Sequence, residues 1–416
     1  MKFYPVFIIL LFVFFGCTTK EIPTLQVGAS QKNITPSAGA FIAGDAINRQ
    51  FTGVHDSLYV KSIVVSNANT SIAILTFDCI GLTYPDLLRI KKSVAENVND
   101  PLFQVNNIVI SSTHSHTGPD VVGIWGPDQL TSGVDTTYMN WLIDQATEAV
   151  LDAWANRSSA HASYAIGEFG NDWVYNISDS LVLDRSLNAI QFKNMQGKSI
   201  ATITAFACHP TIMDGATNLT SADYVGGLYQ HLDQTEGGVN LFLQGAIGGW
   251  VQPEYELKTF EVAMKRGREL GMAVENSLKK SIPFTSDSLK FKSTTIQLPV
   301  SNPGFQQLAA AGVIQRQFTD SVTTAIAWFS IGDASFATHP GETTPVHSSE
   351  TKSWMKNKGP KIVMGLSMDA LGYILSPNFF QPGNNLKHTE YLLSMSVGKE
   401  AGPVLMSQIQ KLSKEK

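Results

Sequence analysis

Two histidines one residue apart, His114 and His116, stand in the segment NNIVISSTHSHTGP directly after a run of β-formers. In extended backbone, residues i and i+2 share a face, so both imidazoles can enter one pocket while Gly118 and Pro119 turn the chain away. A second apolar run, ATITAFACHP, ends in His209. A third, in TTAIAWFSIGDASFATHPGETTP, ends in His339, Pro340, Gly341 and Glu342. Rigid strand ends that open into a cleft are where α/β proteins place their sites. Two histidines from one turn, another from a second strand end and a carboxylate from a third match the donor set of a catalytic zinc centre with an open position for water. Zinc in such a centre lowers the pKa of water to about 7 and polarises a carbonyl, and a histidine that stays off the metal can shuttle the proton. Each residue alone also has an ordinary explanation. A histidine at a strand end is as often structural as ligating, and Glu342, just before a helix start at Thr343 and Thr344, suits the positive end of a helix dipole. Tyr373, in MDALGYILSP, reads by itself as core or cleft wall.

The elements that must hold these residues are strand-like runs alternating with longer stretches of helical period from Leu58 onward, which predicts an α/β fold with a mixed β-sheet core flanked by helices. LYVKSIVVS, the turn NANT and SIAILTFDC read as a hairpin. NNIVISS, AIQFK, SIATITAFAC, NLFLQG, TTAIAWFSI and KIVMGL read as further strands. Helices are predicted over Thr137 to Ala155, Tyr224 to Gln234, Thr259 to Leu278, Thr344 to Lys356 and Ser394 to Leu412. With 416 residues, 43% of them hydrophobic and 16% charged, the chain has enough apolar surface for one large core, and a single domain over residues 24–414 is expected. The polar stretch Lys279 to Ser293 is read as an exposed connection within that domain. The net charge of −5, with no long basic run, gives no footprint for a phosphate backbone, so no nucleic-acid partner is expected.

The first residues, MKFYPVFIILLFVFFGC, place Lys2 before an apolar run that ends at Gly16 and Cys17, too short to span a bilayer comfortably. Residues 1–17 are therefore expected to be an export signal. Gly16-Cys17 followed by Thr18, Thr19 and Lys20 resembles a bacterial lipobox, although Phe14 and Phe15 stand where Leu and a small residue are usual. The expectation is a protein anchored to the membrane by a lipid on Cys17, in the bacterial cell envelope. Cys79 and Cys208 lie in apolar runs without a CxxC partner, so a cysteine-zinc site is absent and buried inert thiols are expected.

Taken together, VGASQKNITP, GVHDSLYVKSIVV, STHSHTGP, FACHPTIM with SADY, FLQGAIGGWVQPE, HPGETTP and GYILSP resemble, in order, the amino-terminal metal-dependent amidase domain of the neutral ceramidase family. The resemblance implies that His114, His209, Glu342 and Tyr373 coordinate zinc, and that His116 stays off the metal as acid and base. It also implies hydrolysis of an amide bond in a small-molecule or lipid substrate. The departures bear on the substrate. The family's GDVSP-like segment is here GAIGGWVQP, with Gly249 and Trp250; its Asn-Arg motif falls at VYNISDS around Asn176, with Arg185 nearby but displaced; and Asn33 replaces the aspartate before ITP. The family's small carboxy-terminal β-domain has no room before Lys416. An esterase on the same metal, or a binding protein that has lost its chemistry, are the competing expectations. Trp125, Trp173 and Trp250 are candidates to line an apolar cleft. Oligomeric state is not legible.

Overall fold

The computed structural model describes residues 1–2 and 24–415, so the expected signal and Cys17 lie outside the described residues. A nine-stranded mixed sheet forms the larger layer. Its continuous path runs Val239–Gln244, Ser199–Phe206, Ser186–Asn194, Ser158–Glu168, Leu25–Asn33, Tyr59–Ser66, Ser71–Phe77 and Ile108–Ser112. The predicted hairpin is present, with Ser66 opposite Ser71 and the Asn67 side chain closing the turn on the N–H groups of Asn69 and Thr70. Parallel pairings occur next to both edges, Ser71–Phe77 with Ile108–Ser112 and Ser199–Phe206 with Val239–Gln244. Their residues are buried almost throughout, as parallel strands covered on both faces must be.

The sheet curls until its two ends meet. Lys61 Nζ donates to Asn240 O at 2.9 Å, Thr76 to Phe242 O at 2.8 Å and Gln244 Nε2 to Thr113 O at 2.9 Å, each bond joining strands from opposite ends of the order. Strand twist of constant hand makes such closure natural in a sheet of this width. Its consequence is that the turns after Ser112 and after Phe206, far apart along the sheet, come together in space.

A second sheet, Leu289–Pro299, Ser321–Ile331, Ala334–Thr338 and Lys361–Met364, is antiparallel except for its last pair. From it the segment Gly365–Met368 crosses to the first. Ser112 donates to Leu366 O and Met368 to Ile110 O on one edge strand, while Gly365 donates to Gln244 O on the other. The helices Thr136–Ala155, Tyr224–Thr235, Phe260–Leu278 and Pro345–Trp354 match expectation to within two residues at each end. Tyr224–Thr235 and Phe260–Leu278 pack closely because Gly227 and Gly267 offer no side chain at the crossing; a Cβ on Gly267 would stand 1.9 Å from Tyr224 O.

One element differs from its prediction. In place of a helix over Ser394 to Leu412 there is a short helix Thr389–Ser394, a break, and then Ala401–Lys414. Gly398 sits at φ 141° against Ser301, a conformation no helix accommodates, and it divides the two. Cys79 and Cys208 are buried free thiols, as expected, and burial pushes Cys79 up to about 12.

Candidate metal centre

His114 follows the edge strand Ile108–Ser112 at φ 70°, a left-handed backbone that costs a non-glycine residue roughly 1–3 kcal/mol and so requires compensation. That comes from the neighbouring turn. His114 N donates to Cys79 O at 3.0 Å and its ring Nδ1 donates to Ile80 O at 2.6 Å. His209 follows the strand Ser199–Phe206 and is fixed by one carbonyl twice, since Val251 O accepts from its backbone N–H at 2.9 Å and from Nδ1 at 2.6 Å. Glu342 and Tyr373 are direct register partners in a two-residue parallel pair, and Glu342 N also donates to Gly372 O. Three structural units thus supply the four side chains.

All four are nearly inaccessible: His114 is 5% exposed, His209 1%, Glu342 6% and Tyr373 5%. The two oxygens of Glu342 divide between the histidines, Oε2 lying 3.0 Å from His209 Nε2 and Oε1 3.5 Å from His114 Nε2. The ring nitrogens of His114, His116 and His209 lie within 4.8 Å of one another, and these three histidines could hold a metal ion. The donor set itself shows what is required between them. Because carbonyl oxygens only accept, Nδ1 of His114 and of His209 must carry the hydrogen, which turns Nε2 of each ring toward Glu342 and leaves it the nitrogen open to a metal. Burial, only partly opposed by Glu342, pushes His114 down to about 3 and so keeps it neutral. The His114 lone pair then faces carboxylate lone pairs, an arrangement that a cation resolves. Backbone carbonyls on the distal nitrogens are also the usual outer-shell partners of metal-binding histidines. The residues therefore fit a metal ion. Burial, followed by the charge of Glu342, holds the Tyr373 hydroxyl protonated well above its usual range.

His116 turns its Nε2 to within 3.3 Å of His114 Nε2 and its Nδ1 to 3.2 Å from Asp214 Oδ2, off the line of a straight hydrogen bond. It is half-buried at the edge of a cavity of about 140 Å³ that also reaches Glu342 and Tyr373. Ile80, Ile124, Trp125, Phe305, Leu308 and Met395 give this cavity apolar walls. Three larger hollows elsewhere on the surface, of about 320, 580 and 660 Å³, bring no histidine together.

All five residues singled out in the sequence meet here, whereas His339 does not. Its nitrogens pair with the hydroxyls of Thr343 and Thr351 at 2.6 and 3.1 Å, and it is a satisfied core histidine beneath the turn that carries Glu342. Of the three tryptophans, Trp125 lines the cavity. Trp173 is core, 2% exposed and packed on Phe169, Phe206 and Tyr224. Trp250, at φ 70°, stacks near His388 and Tyr391, and Tyr391 continues the aromatic row to Tyr373. Asn176 serves its own turn, accepting from Ser178 and Asp179. Sequence reasoning missed Asp214 and Tyr391. Asp214 lies five residues beyond His209 in the same turn, and that proximity was the available signal.

No family model matches the chain. Among curated proteins it is similar to neutral ceramidase A of Dictyostelium discoideum, 23% identical over 223 residues, or 48% of this chain and 30% of the relative. It is also similar to the neutral ceramidase of Pseudomonas aeruginosa, 22% identical over 281 residues, or 59% of this chain and 40% of the relative. The matches thus span well under half of the relatives' length. Among solved structures, neutral ceramidase from Pseudomonas aeruginosa superposes with a TM-score of 0.75 at 15% identity, covering 94% of this chain and 74% of that one. A ceramidase complexed with C2 gives 0.75 at 14% identity over the same shares. The fold is that of these ceramidases, and the curated proteins to which the chain is similar are neutral ceramidases.

Proposed function

We propose that the protein is a zinc-dependent hydrolase of an N-acyl amide bond, with the metal held by His114, His209, Glu342 and Tyr373 and with His116 as acid and base. The observation that carries this reading is the convergence of His209 Nε2 and His114 Nε2 on the two oxygens of the Glu342 carboxylate, at 3.0 and 3.5 Å, inside a buried pocket that opens on one side to His116. Zinc bound there supplies Lewis-acid polarisation of the acyl carbonyl and a lower pKa for water. The chain does the rest. Carbonyls of Ile80 and Val251 orient the two imidazoles, the apolar cavity walls receive an acyl chain and exclude water, and His116 Nε2 takes the proton from attacking water and returns it to the leaving amine. Similarity to ceramidases favours a lipid amide, and the cavity's walls of Ile, Leu, Phe and Met suit one.

Purified protein with zinc supplied, assayed against N-acyl substrates that include ceramide and matched ester analogues, tests the reading. Turnover of an amide that is lost in His116→Ala with zinc retained is expected. Preference for the esters would overturn the amidase assignment, and failure of every substrate despite bound zinc would count against hydrolysis. We further propose export and lipid anchoring at Cys17. Radiolabelled fatty acid should enter the wild type and not Cys17→Ala, and equal labelling of the two would refute it.

A further inference from the structure

The turn that delivers His209 delivers a second side chain five residues later. Thr211 N donates to His209 O and Asp214 N to Thr211 O, so the chain doubles back and brings Asp214 over the ring of His116. Asp214 Oδ2 lies 3.2 Å from His116 Nδ1 with both side chains largely buried, 20% and 16% exposed. Asp214 is itself tethered, because Lys258 Nζ donates to its carbonyl at 2.7 Å. The opposite face of the imidazole is set by Gly44, at φ 93°, where a Cβ would stand 2.8 Å from His116 Cβ and Nδ1. Gly215, at φ 70°, in turn leaves room for the Asp45 carboxylate, which a Cβ would meet at 2.6 Å. The Gly44 backbone, the Asp214 carboxylate and the edge of His114 therefore confine the His116 ring from three sides.

We infer that Asp214 is a positioning residue for His116: its carboxylate, 3.2 Å from Nδ1, favours the hydrogen there by its charge, so that once a cation occupies the lone pair of His114 Nε2, His116 Nε2 is the nitrogen that keeps a lone pair for the reaction. A carboxylate behind an imidazole fixes both tautomer and ring direction, and without it a neutral histidine in water divides between its two tautomers. The inference rests on the hydrolase reading for its kinetic consequence, but not for its structural one.

The test compares wild type with Asp214→Asn, Asp214→Glu and Gly44→Ala, and reads two quantities. In zinc-loaded protein labelled with ¹⁵N-histidine, the His116 resonances, assigned by their loss in His116→Ala, should report hydrogen on Nδ1 for wild type and Asp214→Glu, and a mixture or the opposite tautomer for Asp214→Asn. On whichever amide the wild type cleaves, kcat should fall about 10- to 100-fold in Asp214→Asn with KM and zinc content unchanged, and Asp214→Glu should recover most of it. Gly44→Ala should shift the same resonances by displacing the ring. An unchanged His116 tautomer in Asp214→Asn would overturn the assignment, as would a loss shared equally by kcat and zinc content. If wild type cleaves nothing, the hydrolase reading fails while the tautomer measurement still decides the role of Asp214.

Discussion

Asp369 offers the sharpest energetic prediction outside the ligands. It is 1% exposed, and its Oδ1 accepts from Arg316 Nη1 at 2.7 Å, from Tyr84 N at 2.9 Å and from Ala370 N at 2.9 Å. One carboxylate oxygen thereby ties the start of the helix Tyr84–Asn97 and the buried Arg316 to the segment that runs on to Tyr373. Asp369→Ala leaves a guanidinium with a 5% exposed side chain facing no counter-charge and two N–H groups without their acceptor. Removing one partner of a buried pair costs about 3–5 kcal/mol. Since unfolding entropy is about 2.1 cal/mol/K per residue, roughly 390 described residues correspond to about 0.8 kcal/mol/K, so a loss of about 4 kcal/mol lowers Tm by about 5 °C. The assay is thermal and urea unfolding of wild type, Asp369→Ala and the double variant Asp369→Asn with Arg316→Met. The double variant keeps an acceptor for Tyr84 and Ala370 and removes both charges, so it should recover most of the loss. A single variant within about 1 kcal/mol of wild type, or a double variant as unstable as the single, would refute the reasoning.

Lys61 is 1% exposed, donates to Asn240 O and lies 3.2 Å from the centre of the Tyr229 ring. Burial, partly offset by Asp78, holds it down to about 8. The unfolded chain binds this proton up to about pH 10, so the cost of burying the charge is complete below pH 8 and is relieved as pH rises from about 8 to 10. Urea titrations should show wild type gaining stability across that window relative to Lys61→Met, and parallel curves for the two would contradict this. Cys79 and Cys208, both fully buried with burial raising their thiol pKa values, should resist iodoacetamide at pH 8 in the folded protein and react after denaturation. Ready alkylation of the native protein would show the sheet closure to be looser than described.

The parts of the fold legible in sequence were those whose burial is continuous. Ile108–Ser112, Ser199–Phe206 and Val239–Gln244 are apolar runs because both faces are covered, and the histidines stand out at their ends. The start of Leu289–Pro299, up to Ser293, reads in the sequence as a connection, since Lys290 and Ser293 are exposed and Phe291 and Lys292 only partly buried, which breaks the alternation that marks a strand. The helix Tyr84–Asn97 was missed although Thr83 and Asp86 form a capping box with Pro85 in the first turn, a signal readable in the sequence. Curling of the sheet was not legible at all. It depends on cross-sheet bonds such as Thr76 to Phe242, which leave no local pattern, and it is what brings His114 to His209. Tyr373 was read as a ligand only through the family resemblance, because its pairing with Glu342 is a matter of register across a two-residue bridge.

Zinc content of the purified protein, wild type beside His209→Ala, bears most directly on the central claim. His209→Ala removes one ring nitrogen from the cluster, while Val251 O keeps the backbone N–H of residue 209 as a donor. About one zinc per wild-type chain and a large loss in a folded His209→Ala protein are predicted. A wild type that purifies without metal after zinc is supplied, or a variant that keeps all of it, would contradict the account.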